Sequence, residues 1–371
     1  MQIGIDARLP YYRMGGISQY VLHLVVALAE VDKANEYLVF QSRKDGRSYR
    51  PEQGNFHRVD AWTPCHHRWE RWLLGTEVQV RRPDVFHSPD FIPPAFGARR
   101  RVITVHDLNF LYFPEYLTPE SRRYYRGQIG WAVREADRIA ADSEHTRQDL
   151  IERLGVPPEK VKRIYLAANP IYRRRPGTGA VAEMLSTYNL PRGFLLFVGT
   201  LEPRKNVPLL LEAYALLREE ARVDLPLVLV GGKGWLYEEI FEKIERLGLG
   251  GYVRHLSGVS DQVLAHLYHA AGVLALPSHY EGFGLPPLEA MHCGCPVVVS
   301  ERGSLPEIVG EAGIVLPPDD ALVWAEALAQ VISDSEQRER MIGEGRLQAA
   351  RFTWEETAVE TLALYREAAE V

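Results

Sequence analysis

The stretch VLALPSHYEGFGLPPLEAMHCGCPVVV, residues 273–299, decides the architecture. A short apolar run at 273–276 reads as a strand, and another lies near 296–299. Between them come the turn Pro277-Ser278-His279-Tyr280, a glycine-bearing loop and a helical stretch near 285–293. Strand, loop, helix and strand in that order build a parallel sheet covered by helices. The alternation extends outward. Strands are expected near 194–198, 227–230 and 253–256, with helices near 206–220, 235–247 and 261–271. Earlier in the chain, strands are expected near 2–6, 37–41, 84–87, 101–105, 137–141 and 161–165, with helices near 17–30, 67–81, 119–135 and 144–154. The intervening AANPIYRRRPGTG, residues 167–179, sets Pro170, Pro176, Gly177 and Gly179 beside three arginines and reads as a linker. Two α/β domains of similar size follow, over 1–175 and 176–353, with a further apolar-periodic helix at 354–370. Open parallel sheets bind ligands beyond the carboxyl ends of their strands. Functional residues are therefore expected in loops just after strands, along a cleft between the two sheets.

Composition narrows the function classes. The chain has 371 residues, 46% hydrophobic and 25% charged, which excludes a disordered chain, a collagen and a small disulfide scaffold. A formal net charge of -6 argues against a nucleic-acid partner. The opening MQIGIDARLP lacks the features of a signal peptide, and no apolar run reaches the roughly 18–20 residues that span a bilayer. Cys65, Cys293 and Cys295 are too few for a disulfide framework and complete no zinc site, so they read as structural thiols of a cytoplasmic protein. No Asp-x-Asp clamp for a metal–diphosphate and no GxxxxGK[ST] phosphate loop occur, so no metal site is expected.

Four loops that follow strands could carry chemistry. In EGFGLPPLE, 281–289, Gly282 and Gly284 let the backbone approach a ligand and Pro286 suits a first helical turn. The amino end of that helix, with free N–H groups and its dipole, favours a phosphate. Glu281 at the loop mouth and Glu289 one turn into the helix could accept hydrogen bonds from hydroxyls at opposite ends of an elongated polyhydroxy ligand. A plain helix start with two solvated glutamates is the alternative. In GTLEPRKN, 199–206, Arg204 and Lys205 could neutralise a diphosphate or simply be solvated. Gly15 and Gly16 open a helix after the first strand, as a phosphate-binding turn or a simple loop. His106, beside Asp107 at a strand end, is placed for contact with a reacting group or for a structural role, and His87 is a weaker parallel. Ser143 reads as a helix cap. Trp69, Trp72 and Leu73 in HHRWERWLL, 66–74, read as core packing with a solvated charged face. A second reading of them, and of RRYYRG at 122–127, is contact with a membrane surface or a lipid-linked acceptor.

Taken together these motifs resemble a retaining glycosyltransferase of the GT-B fold, in the large family numbered four. The resemblance covers nearly the whole chain and is strongest over 195–320, through VGTLEPRKN, LSGVSDQVLAHLY and the Glu-x7-Glu spacing of Glu281 and Glu289. It implies two Rossmann-like domains, with the helix 354–371 crossing back to complete the first. It implies that Glu289 binds nucleotide ribose hydroxyls and that Glu281 holds donor-sugar hydroxyls near the reacting carbon. Phe283, Gly284 and Leu285 would offer backbone amides to the sugar and diphosphate. Lys205 and Arg204 would bind the diphosphate, with Gly15 and Gly16 closing on it. His106 would lie near donor sugar and acceptor, and Gly258-Val259-Ser260 would border the base. Many relatives carry an arginine five positions before the lysine, where this chain has Thr200.

TVHDLNFLYFPEYLTP, 104–119, and GTLEPRKN look most like bacterial mannosyltransferases of surface-polysaccharide assembly. The implied reaction moves mannose from GDP-mannose, or a hexose from a UDP-sugar, to a glycan or lipid-linked acceptor. It proceeds with retention and without a cofactor or metal, in the cytoplasm or at the inner face of the cell membrane. A sugar-nucleotide epimerase and a non-catalytic nucleotide-sugar sensor are the alternatives of other classes.

Overall fold

The structure is a computed structural model that describes residues 1–116, 119–220 and 223–371. Leu117 and Thr118, near the end of the quoted TVHDLNFLYFPEYLTP, lie outside the described residues. The chain forms two compact units, Met1–Ala167 together with Thr353–Val371, and Ala168–Phe352.

The first unit is built on seven parallel strands: β1 (Gln2–Asp6), β2 (Glu36–Ser42), β3 (Phe56–Ala61), β4 (Val85–Ser88), β5 (Arg100–Val105), β6 (Arg138–Ala141) and β7 (Val161–Arg163). Their order in the sheet is β3-β2-β1-β4-β5-β6-β7. Ile3, Gly4 and Ile5 of the interior strand β1 are all buried, so successive residues on opposite faces are covered, as expected where helices lie on both sides. The helix Trp354–Glu370 packs on the helix Gly16–Val31, so the expected return to the first domain is present. Thr353 caps it by accepting from the Glu356 amide at 3.1 Å. Tyr365 on this helix meets the buried His87, Oη to Nδ1 at 2.7 Å, while His87 Nε2 lies 2.8 Å from Thr104 Oγ1. His87 is thus a core residue, and burial pushes its pKa down to about 3.

The second unit holds six parallel strands: β8 (Leu195–Val198), β9 (Leu227–Val230), β10 (Val253–Leu256), β11 (Val273–Leu276), β12 (Val297–Ser300) and β13 (Ile314–Leu316). Their order is β10-β9-β8-β11-β12-β13. Every residue of β8, β9, β11 and β12 is buried, which explains why their sequences are continuous apolar runs instead of alternating ones.

Three sequence expectations need correction. The stretch 167–179, read as a linker between domains, carries the passage between the units at its first residue and is ordered beyond it. Asn169 accepts from the Ile171 amide at 3.1 Å, a tight helical turn runs Pro170–Arg173, and the buried Tyr172 packs edge-on to Tyr268 with ring centres 5.7 Å apart. These contacts tie residues from Ala168 onward to the second unit, ahead of the expected boundary at 175. Trp69, Trp72 and Leu73 are not packed in the core but exposed, because Glu70, Leu74 and Val78 take the buried face of their helix, Glu70–Arg81. Finally, β3 and β13 join the expected strands. Both are sheet edges, where charge and short length disguise a strand.

Candidate functional site

In both sheets the strand order reverses beside the first strand, between β1 and β4 and between β8 and β11. At such a switch point two connections leave in opposite directions and open a crevice at the carboxyl ends of the strands. In the second sheet the two flanking loops are 199–206 after β8 and 277–284 after β11, which carry the strongest sequence signals.

The structure joins these loops through charge. Lys205 Nζ donates to Glu281 Oε1 at 2.6 Å, and Arg204 Nη1 donates to Glu281 Oε2 at 3.1 Å. Ser278 Oγ donates to Glu281 Oε1 at 2.7 Å. Arg204 also donates to the Tyr280 carbonyl at 2.7 Å and to Glu202 Oε1 at 2.7 and 3.1 Å. The loops are sewn together on their backbones too, the His279 amide donating to the Arg204 carbonyl at 2.8 Å. Lys205 and Glu281 are both 7% exposed. Burial opposes ionisation of Glu281, but the Lys205 ammonium and Arg204 guanidinium outweigh it and hold the carboxyl at about 2. Two cations face two carboxylates, so the cluster is formally neutral.

A third loop, 300–305 after β12, fixes the glycine-bearing segment from behind. Ser304 Oγ donates to the carbonyls of Glu281 at 3.1 Å and Phe283 at 2.6 Å, and its amide donates to the Glu281 carbonyl at 3.1 Å. Gly303 has φ +64°, and a Cβ there would come within 2.7 Å of the Glu281 nitrogen. Only glycine fits that position. Gly284, with φ +106°, turns the chain into the helix Leu285–His292. Pro286 and Pro287 carry no amide protons, and the Leu288 amide already donates to the Gly284 carbonyl at 3.4 Å. The amino end is therefore poorer in donors than the bare expectation of a helix start, with Leu285 as the residue of the first turn that keeps its N–H for an outside acceptor. Phe283 is buried edge-on to Phe352, ring centres 5.9 Å apart.

Glu289 stands apart from the cation cluster. Tyr268 Oη donates to its Oε2 at 2.9 Å. Burial raises its pKa to about 7, with the Tyr268 hydrogen bond acting against the rise and Asp261 adding to it. Val259 sits half-buried in an open loop that follows Gly258 in the left-handed region, and Ser260 caps the next helix, Asp261–Ala270, by accepting from Val263 at 3.3 Å.

Gly15, Gly16 and His106 belong to the first unit. Gly15 is extended ahead of the helix Gly16–Val31, and a Cβ on either glycine would meet open space. His106 is held on both ring nitrogens, Nδ1 at 2.6 Å from Asp142 Oδ2 and Nε2 at 2.8 Å from the Pro89 carbonyl. Burial works against its charge, but the Asp142 carboxylate prevails and raises its pKa to about 9. A carboxylate and a carbonyl facing the ring favour a proton on both of its nitrogens, while burial raises the Asp142 carboxyl as well.

The switch point of the first sheet holds side chains that the sequence reading passed over. The fully buried Arg8 donates to Asp6 at 2.7 and 2.8 Å, to Glu70 at 2.7 Å and to the Thr63 carbonyl at 2.8 Å. Asp6, Glu70 and Asp90 line one depression with Ile17 and Pro89, and His66 lies 2.5 Å from Asp90. The signal available in sequence was Asp6 itself, the last residue of β1, which is a strand-end position. Cys293 and Cys295 are buried free thiols, and among the described residues no cluster of three His, Cys, Asp or Glu could hold a metal ion. Ser143 is the cap of the helix Glu144–Leu154, accepting from the Thr146 amide at 3.0 Å.

Comparison with known proteins accords with this architecture. Residues 187–348 match the family Glycosyl transferases group 1, and residues 14–170 match Glycosyltransferase Family 4. An O-antigen chain mannosyltransferase B from Escherichia coli is 33% identical over 96% of this chain and 97% of its own. The serotype-specific mannosyltransferase WbdA of Escherichia coli is 31% identical over 70% of this chain, which spans 32% of that longer protein. Among solved structures, Anabaena Alr3699/HepE in complex with UDP-glucose superposes with a TM-score of 0.75 at 21% identity, covering 98% of this chain and 99% of that one. The paired parallel-sheet units, the matched families and the full-length relative agree: this chain is a glycosyltransferase of family four, with the GT-B fold and its likeness to bacterial mannosyltransferases of surface-polysaccharide assembly.

Proposed function

We propose that the chain transfers a hexose, mannose from GDP-mannose, to a hydroxyl of a glycan or lipid-linked acceptor with retention of anomeric configuration. The observation that carries the mannosyl reading is the 33% identity, along 96% of the chain, to a relative named O-antigen chain mannosyltransferase B. The bond from the sugar anomeric carbon to the diphosphate oxygen breaks, and a bond to the acceptor oxygen forms on the same face. The acceptor proton passes to the departing phosphate. Charge then builds on phosphate oxygens, and Lys205 and Arg204 are the groups that meet it. Phe283, Gly284 and Leu285 border the sugar and diphosphate through their backbone, Glu289 takes the ribose hydroxyls, and Val259 borders the base.

Glu281 is neither acid nor nucleophile in this reading. Held ionised by its two cations, it accepts hydrogen bonds from donor-sugar hydroxyls and keeps the cations in place. His106, with both ring nitrogens engaged, supplies a fixed positive charge on the acceptor side and not a base. Gly15 and Gly16 leave open space in which a phosphate can approach a helix start. Asp6 and Asp90, at the switch point of the first sheet, offer carboxylate oxygens to acceptor hydroxyls. Side-chain cations meet the diphosphate charge, so the reaction runs without a divalent ion.

Calorimetric titration with GDP and UDP in the presence of EDTA tests this reading. Tight GDP and weak UDP binding supports it. The reverse transfers it to a UDP-sugar donor, and binding of neither overturns the diphosphate site. Turnover abolished by EDTA and restored by a divalent ion would refute the metal-free mechanism. A new sugar nucleotide formed without acceptor would turn the reading to an epimerase, and donor binding without released nucleotide to a sensor.

A further inference from the structure

Trp62 follows β3 directly and is the most exposed indole of the described residues, at 68%. Exposed side chains ordinarily move between rotamers, but this one is held in place. Its amide and that of Thr63 donate to the two carboxylate oxygens of Glu77 at 2.8 and 2.9 Å, and the Thr63 hydroxyl donates to Glu77 as well. The Arg43 guanidinium lies over one face of the ring, 3.5 Å from its centre. Arg43 is itself placed by the end of β2, where its amide donates to the Ala61 carbonyl at 3.0 Å. The indole is thus fixed through its backbone and one face, and the other face is left to solvent.

The same loop reaches the switch point of the first sheet. The Thr63 carbonyl accepts from the buried Arg8 at 2.8 Å, and Cys65 lines the depression that also holds Asp6, Glu70 and Asp90. From Trp62 to Cys65 the chain spans at most about 11 Å, which is the scale of a short oligosaccharide. The polar groups on this path select the ligand. Glu77 takes the amides of Trp62 and Thr63, and Pro64 has none, so no backbone nest is left beside the indole to cradle a phosphate. Arg8 spends its donors on Asp6, Glu70 and the Thr63 carbonyl, so the depression presents carboxylate oxygens, which accept from hydroxyls and repel anions. A rigid aromatic face beside them matches the apolar C–H face of a pyranose ring.

We infer that Trp62 is a sugar-stacking subsite, and that the acceptor is a neutral glycan chain and not a single sugar. The terminal residue of the chain presents its hydroxyls to Asp6 and Asp90, and a residue further along lies on the open face of the indole. The inference rests on the proposed transfer to a glycan and adds that acceptor length is read away from the reacting atoms. Because the ring is already fixed, stacking on it costs little ordering.

The test is a saturation-transfer NMR titration of the full chain, without donor, using α-linked mannotriose and methyl α-mannoside. Mannotriose should bind about tenfold more tightly. Trp62→Ala should lose that difference and Trp62→Phe should keep part of it. Trp235→Ala, at an exposed indole of the second unit, should keep all of it. With GDP-mannose present, the ratio of kcat/KM for mannotriose to that for methyl α-mannoside should fall about tenfold in Trp62→Ala. Thermal melts confirm that the variants are folded. Equal affinity of the parent chain for the two mannosides overturns the inference, as does a difference that Trp62→Ala retains. Binding abolished by high salt also overturns it and makes the ligand an anionic glycan. Length-dependent binding without turnover refutes the proposed transfer and leaves the subsite standing, whereas turnover without length dependence does the reverse.

Discussion

Replacing Glu281 by Gln keeps the shape of the side chain and removes the charge that Lys205 and Arg204 enclose. A buried carboxyl whose pKa falls from 4.5 to about 2 on folding contributes about 3 kcal/mol at neutral pH. The same size is expected from the other direction, since breaking a buried ion pair on one side costs roughly 3–5 kcal/mol. For a unit of this size, 1 kcal/mol moves the melting temperature by about 2–4 °C, so Glu281→Gln should melt about 6–12 °C lower at pH 7. The sign with pH follows from the depressed pKa. The contribution is complete above 4.5 and is lost as pH falls from there toward 2. Calorimetric melts of parent and variant should therefore differ most at pH 5–7, with the gap reduced by more than half near pH 3. A gap below about 2 °C at pH 7, or one that does not narrow on acidification, would show that the cation cluster is not held by this carboxylate.

Three further outcomes follow from the same geometry. Lys205→Ala should lower kcat/KM by about two to three orders of magnitude with the fold retained, and a loss of tenfold or less removes Lys205 from charge stabilisation. Glu289, raised to about 7 by burial, should release a fraction of a proton when ribose hydroxyls bind its carboxylate, so affinity for the intact sugar nucleotide should rise through pH 7. Equal binding enthalpies in phosphate and Tris buffers, or the same proton release in Glu289→Gln, contradict that role. His106 has its pKa raised to about 9, so its contribution to stability is complete below 6.5 and disappears as pH climbs through 9. Melts should show parent chain and His106→Asn converging between pH 7 and 10, and a constant difference across that range refutes the imidazolium assignment.

The fold was legible where burial leaves a simple signature. Strands β8, β9, β11 and β12 are covered on both faces, so LLFV, LVLV, VLAL and VVVS can be read without ambiguity. The edges were not legible. FHRVDA of β3 shows two buried residues at its ends, with His57, Arg58 and Asp60 around a partly buried Val59 between them, and that pattern matches a loop as well as an edge strand. The order within the stretch 167–179 is hidden for a related reason. Its prolines and glycines are visible in sequence, whereas the docking of Tyr172 against Tyr268 is a tertiary fact. In the site, Arg204, Lys205 and Glu281 were found as separate loops, and their joining into one neutral cluster required the topology. The roles of Ser278, on the Glu281 carboxylate, and of Ser304, on the loop backbone, are not legible because a serine so engaged has the same sequence appearance as one in solvent. The exposed indoles of Trp69 and Trp72 read as core in the sequence, since helical spacing alone does not tell which of two apolar faces is covered.

The return of the helix Trp354–Glu370 to the first unit makes the second unit an insertion within the first. During synthesis, residues 168–352 emerge as an uninterrupted segment and can complete their sheet while the translation machinery still holds the piece that the first unit lacks. Until that piece arrives, His87 and the helix Gly16–Val31 wait without the partners that cover them, and the hydrogen bond between His87 and Tyr365 closes a loop of 278 residues. The half of the chain made first is thus the half finished last. Its apolar face stays open for most of translation, and chaperone dependence should concentrate there.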